Sequence, residues 1–211
     1  MHLKSRISNE KTPISKPMNF DKSEEYRKYV IGLQFKETDL YTVWGTDMVD
    51  GENDKFLVNE TKLMVFESLD LLESFLKTLD HPFKDKRNFK RWVNEESLKR
   101  VYNFNNMSLL ADFNLNLLND KKSSLDILHS INLIRDFFIQ INDSQIDIAC
   151  ENPSIINLKD FIYDNYFREK KNEGITIDEL NFVNVSISLR EMYDRFCNKL
   201  EVLKNEMLQA I

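Results

Sequence analysis

The residues with the types and spacing to do chemistry are concentrated in one short stretch. Asp47 to Lys55 (DMVDGENDK) sets Asp47, Asp50, Glu52 and Asp54 around Gly51. Carboxylates this close can chelate a cation, meet a basic surface or simply face water. A calcium loop alternates its oxygen ligands regularly and ends on a distal Glu; D-x-x-D-G-E-x-D does neither. That leaves a solvated hairpin tip, or an acidic loop that docks against a basic partner. Glu37 and Asp39 add carboxylates close by in sequence, and Tyr41 and Trp44 offer aromatic anchors of the kind that carry protein interfaces.

Elsewhere the constellations of catalysis are missing. His2, His81 and His129 stand apart, with no second His, Cys or carboxylate pair at ligand spacing. His129 reads as a polar boundary residue of a core helix. Neither a glycine-rich phosphate loop nor a G-x-S-x-G elbow occurs, and four glycines leave little scope for backbone to approach a phosphate. The expectation is a protein that is not an enzyme and holds no metal and no cofactor. Cys150 and Cys197 are far apart; free thiols in a reducing compartment are the favoured reading, with a disulfide as the alternative.

One run offers a rival chemistry. Phe83 to Arg100 (FKDKRNFKRWVNEESLKR) interleaves Lys84, Lys86, Arg87, Lys90 and Arg91 with Phe83, Phe89 and Trp92. Rings that stack on bases beside cations that meet phosphates make a single-strand binding groove. The alternative function is therefore a nucleic-acid-associated protein using residues 83–100; the bland reading is a bridging segment with a solvated basic face.

Charge weighs on this choice. The net charge of −6 is uneven: Glu37 to Asp80 holds eleven acids against Lys55, Lys62 and Lys77, while Lys84 to Arg100 holds seven bases against three acids. From Asp136 onward there are fourteen acids against eight bases. Such a surface repels nucleic acid over most of its area and attracts a basic protein. With 42% hydrophobic residues and 15 Phe, the chain has enough apolar surface for a packed core. Met1 to Phe20 has no apolar leader-like segment and reads as polar tail, and no run reaches a membrane span. A cytoplasmic protein is expected.

The elements that must position these residues follow from period and punctuation. Tyr29–Phe35 and Leu40–Thr46 are rich in β-branched and aromatic residues and read as strands, followed by short strands at Phe56–Val58 and Leu63–Phe66. Ser68 caps a helix whose buried face is Leu72, Phe75, Leu76 and Leu79, ended by His81-Pro82. Asn88–Lys99 has helical spacing, Val101–Phe104 returns as a strand, and Leu109–Leu118 is a short helix or turn. Ser123–Ile141 is the central helix, with Ser123 and Asp126 as its capping box and Ile127, Ile131, Ile134 and Phe138 in its stripe. Asn152-Pro153 starts another helix. After Gly174, Thr176 with Glu179 caps a last helix from Ile177 to about Gln209.

The expected fold is α+β: a small antiparallel N-terminal sheet packed with a helical C-terminal half. Residues 1–24 form a polar tail and 25–211 one domain, divided into a sheet part (25–104) and a helical part (105–211).

Several of these stretches carry a resemblance. Tyr29–Phe35, Lys55-Phe56-Leu57, Leu63–Phe66 and Leu72-Glu73-x-Phe75-Leu76 are similar to the N-terminal part of immunity proteins from bacterial contact-dependent growth inhibition and related polymorphic toxin systems. Leu128–Phe137, with Ile131-Asn132-Leu133-Ile134 and Asp136-Phe137, resembles their second half. The resemblance leaves out the tail and the basic segment. It implies an antitoxin that binds a cognate, basic toxin domain and covers its active or substrate-binding site. It transfers no contact residue, because such proteins meet their toxins through variable surfaces. The contact residues expected from the sequence itself are Glu37, Asp39, Tyr41, Trp44, Asp47, Asp50, Glu52 and Asp54.

Overall fold

A computed structural model describes residues 22–78, 83–143, 149–167 and 176–204. The sheet is built around the antiparallel pair β1 (Lys28–Gln34) and β2 (Asp39–Asp47), in which Lys28 lies opposite Gly45 and Gln34 opposite Asp39. β3 (Asn53–Phe56) returns along one end of β2. At the other end β2 meets β5 (Lys62–Phe66) through Tyr41 and Phe66, and β4 (Val58–Asn59) folds back on β5. Two further strands join in parallel, β6 (Asn103–Asn106) on β1 and β7 (Leu200–Leu203) on β5.

The α+β class holds, but the sheet of seven strands is mixed rather than antiparallel. A strand that returns after a helical crossover arrives parallel to the strand it joins, and both β6 and β7 follow helices. The sheet also reaches beyond the N-terminal part, since β7 comes from residues 200–203.

Side chains alternate across a strand, so each strand feeds two layers. Tyr29, Ile31, Leu33, Leu40, Phe56, Leu63 and Val65 pack against α5 (Lys121–Gln140), α6 (Pro153–Tyr166) and α7 (Phe182–Asn198). Val30, Val43, Leu57 and Phe66 face the opposite layer, made by α2 (Leu69–Thr78) and α3 (Lys86–Glu95). The short helices α1 (Lys22–Tyr26) and α4 (Ser108–Ala111) close the two layers. Residues 22–24, read from the sequence as tail, already belong to α1.

Most helix signals land where the sequence puts them. The Ser68 hydroxyl accepts from the Leu71 amide, and the Asn152 side chain accepts from the Ser154 amide ahead of Pro153. α5 begins earlier than expected. Asp120 is its cap, accepting from both the amide and the hydroxyl of Ser123, so Ser123 donates to the cap instead of being it. The long C-terminal helix is also corrected. The Thr176–Glu179 capping box closes only a 3-10 turn, Leu180 is extended, and Asn181 accepts from the Asn184 amide to start α7 afresh. α7 stops at Asn198, because Leu200–Leu203 pairs with the edge of β5. Within α7 the strand-like alternation resolves as helix: Val185 and Leu189 are buried, while Val183 and Ile187 face out. His81-Pro82, Leu79 and residues 205–209 lie outside the described residues.

No helix among the described residues is long and apolar enough to cross a membrane. No disulfide joins Cys150 to Cys197.

Candidate functional site

The acidic stretch is the β2–β3 hairpin, turned by Gly51 and Glu52, which both take positive φ (67° and 57°). The register sets Gly45 opposite Lys55 and Thr46 opposite Asp54. Asp47 and Lys55 therefore point to the α3 layer, while Thr46 and Asp54 point to the α5 layer.

On the α3 side the acids are neutralised from within. Asp47 is fully buried and accepts from the Lys55 ammonium (2.9 Å), the Lys84 amide (2.6 Å) and the Val49 amide (3.2 Å). Burial alone would raise its pKa, but the Lys55 ammonium and the two amides outweigh it and hold the carboxyl at about 2. Asp50 accepts from Lys55 and Lys84, both at 2.6 Å, which holds it below the usual carboxylate range. Glu52 meets Arg27 at 3.1 Å. Beneath them Lys28 and Asp85 form a buried ion pair at 2.9 Å, and Lys28 also donates to the Thr46 carbonyl while Asp85 accepts from the Met48 amide. These bonds fix the base of the hairpin against the segment entering α3.

On the α5 side the balance is different. Asp54 accepts from the Thr46 hydroxyl (2.8 Å) and has no cation partner among the described residues. Across from it stands Asp136 of α5, half-buried, with no hydrogen bond or ion pair among the described residues. Burial pushes the Asp136 carboxyl above its ordinary range and the Asp54 charge pushes it further, against the weaker pull of Arg135 and Lys159. Gln140, one turn on, holds the two walls together: its side-chain carbonyl accepts from the Phe56 amide (2.8 Å) and its amide donates to the Phe56 carbonyl (3.1 Å).

Asp136 is common to two adjoining spaces. One is an open cleft of about 480 Å³ between the hairpin and α5, lined by Asp50, Glu52, Asp54, Lys55, Ile139 and Gln140. The other is an apolar cavity of about 180 Å³, walled by Trp44, Tyr102 and Phe56 and edged by Asn103, Asn105 and Asn132. Trp44 is half-buried and stacks on Tyr29 (5.5 Å), which in turn meets Tyr102 (4.5 Å).

The residues singled out from the sequence do not gather as one patch. Asp50, Glu52, Asp54 and Trp44 border the two spaces. Asp47 is spent inside the hairpin. Tyr41, three positions before Trp44, points to the other sheet face, where it meets Phe104 edge-on. Glu37 and Asp39 lie at the far end of β2, whose nine residues span about 27 Å. Asp136, Asn132 and Gln140 were not singled out. Their signal was present: polar side chains at helical spacing in a helix otherwise apolar over most of its circumference mark a wall open to solvent.

In the rival segment the aromatic rings are buried. Phe83, Phe89 and Trp92 are at most 1% exposed, and the Trp92 indole N–H donates to Ser23. These rings form the core between α3 and the sheet and are not available to stack on bases; Lys84, Lys86, Arg87, Lys90 and Arg91 are exposed around them. His129, exposed on α5, lines the same apolar cavity as Asp136, two helical turns or about 10.5 Å along the axis from it. Among the described residues no group of three or more His, Cys, Asp or Glu is placed to hold a metal ion.

No family model and no curated protein sequence matches this chain. Among solved structures it is similar to the crystal structure of the SatS C-terminal domain in complex with bromine. The two share 15% sequence identity and a TM-score of 0.60, over 86% of this chain and 96% of that one. At this identity the likeness concerns the fold alone.

Proposed function

We propose that this protein works by binding another protein, holding a basic surface of its partner in the cleft between the β2–β3 hairpin and α5. The observation that carries this reading is the pair Asp54 and Asp136, two carboxylates on one cleft, neither of them in an ion pair among the described residues. Like charges held together raise each other's energy, and a cation brought from outside relieves both. Beside them Ile139 on α5 lines the cleft and is 47% exposed, which supplies apolar contact next to the charged centre.

The resemblance to immunity proteins supplies the class of partner: a cognate toxin domain met in the cytoplasm and neutralised by covering its active or substrate-binding site. Acidic steering would speed its capture. The buried rings of the 83–100 segment weigh against nucleic acid as the partner.

The test uses the tagged full chain and the toxin domain encoded directly upstream of its gene. Capture is expected, with an association rate that falls as salt is raised. The Asp54→Lys/Asp136→Lys double variant is expected to lose at least tenfold in affinity. An absent toxin neighbour, failed capture, or equal capture by the double variant would overturn the reading. So would salt-sensitive gel shifts of single-stranded DNA by the purified protein.

A further inference from the structure

We propose that the aromatic cavity beside Asp136 is a receptacle for a single guanidinium side chain, an arginine that projects from the partner's basic surface. The inference rests on the protein-binding reading above and names the group its central pocket takes.

Size comes first. A cavity of about 180 Å³ is close to the roughly 150 Å³ that admits one benzene-sized molecule and below the roughly 300 Å³ where drug-sized ligand sites begin. It therefore suits one side chain. Its walls narrow the choice. Trp44 and Tyr102 line it, each also packed against Tyr29, and the attraction of a cation to an aromatic ring is strongest at an indole. The side-chain amides of Asn103, Asn105 and Asn132 add polar groups around the rim, with the Asn105 carbonyl already accepting from Asn103 (3.4 Å). Asp136 stands at the junction of cavity and cleft with no hydrogen bond or ion pair among the described residues, and burial with the charge of Asp54 disfavours its ionised form. A guanidinium answers all of these at once: it is planar and stacks, it carries five donors in a fork, and it sheds water more readily than an ammonium. A lysine would satisfy the carboxylate but not the ring faces and amide rim together.

The probe is N-acetyl-L-arginine amide, titrated into the full chain and followed by the NMR signals of the Trp44 indole N–H and the Asn132 and Asn103 side-chain amides. Saturable shifts are expected, with a Kd on the order of millimolar for so small a fragment. The uncharged isostere N-acetyl-L-citrulline amide should bind at least tenfold more weakly, and N-acetyl-L-lysine amide at least threefold. Asp136→Asn should weaken the arginine probe at least fivefold. It deletes no internal bond, so its spectrum should stay as dispersed as that of the parent, and Asn132→Ala provides a second variant at the rim with the same direction of effect. Equal response to citrulline, no effect of Asp136→Asn, or shifts produced by calcium and not by the arginine probe would overturn the proposal. If the arginine probe fails while the charge-reversed double variant still loses the toxin domain, the cavity inference falls and the binding function stands. If the probe binds and no toxin domain is captured, the cavity is upheld and the partner reading falls.

Discussion

Gln140 does more for the cleft than any charged residue, because it ties two elements that are 84 residues apart in the chain. Phe56 is fully buried, and its backbone amide and carbonyl both find their partners in the Gln140 side chain. Replacing that side chain leaves two buried polar groups unpaired, at about 1–3 kcal/mol for each buried group left without a bond. Both bonds are part-buried beside an open cleft, so Gln140→Ala should cost the low end of that range for each, about 2–3 kcal/mol together in urea, with faster hydrogen exchange at the Phe56 amide. Unchanged exchange there would mean that the clamp is not holding the hairpin. Asp47 makes a second residue-scale prediction. Its carboxyl titrates near 2 in the folded protein against an ordinary value of 3.8. A depressed folded pKa contributes stability that is complete above the unfolded value and disappears as pH falls through the folded one. The loss from Asp47 should thus run between about pH 4 and pH 2 and amount to ~1–2 kcal/mol. Asp47→Asn should be less stable than the parent at pH 7, and in chemical denaturation the difference should shrink from about pH 4 and close only below about pH 2.

At the scale of elements, β7 is where local pattern and tertiary context part. Residues 177–209 satisfy a helical period almost throughout, and no glycine or proline interrupts them. The chain nonetheless leaves the helix at Asn198 so that Leu200–Leu203 can pair with β5. An unpaired inner edge would leave the amides and carbonyls beside Leu63 and Val65, both fully buried, without bonds. That cost exceeds the few tenths of a kcal/mol by which helix propensities differ. Val202, half-buried against the α5 layer, reports on this arrangement. Val202→Asp should cost roughly 2–3 kcal/mol by burying a charge beside the core, whereas in a continuous exposed helix the same change would cost under 1 kcal/mol. Thermal unfolding of the single variant separates the two cases. The other elements were legible. Strands β1, β2 and β5 announced themselves by β-branched and aromatic runs, and α2, α5 and α6 by caps and apolar stripes, since these signals are local. The strand directions were not, because parallel pairing depends on where the crossover helices lie.

At the scale of the whole molecule, a sheet with helices on both faces converts a one-dimensional charge pattern into two different surfaces. The acidic hairpin and the basic segment, separate blocks in the sequence, meet across the α3 layer, where Lys84 neutralises Asp50 and its backbone amide serves Asp47. The sequence by itself determined the chemistry on offer: an acidic hairpin, an aromatic and basic segment, an apolar central helix and no motif for catalysis. It also determined most of the local elements, because capping, periodicity and turn residues act within a few positions. Only the tertiary structure decided which charges remain unanswered. Coulomb energy depends on distance through space, so Asp47, Asp50 and Glu52 are spent on Lys55, Lys84 and Arg27, whereas Asp54 is left facing Asp136 from a helix far along the chain. The pleat likewise decided that Trp44 borders the cavity and Tyr41 does not, since an odd separation along a strand sends two side chains to opposite faces.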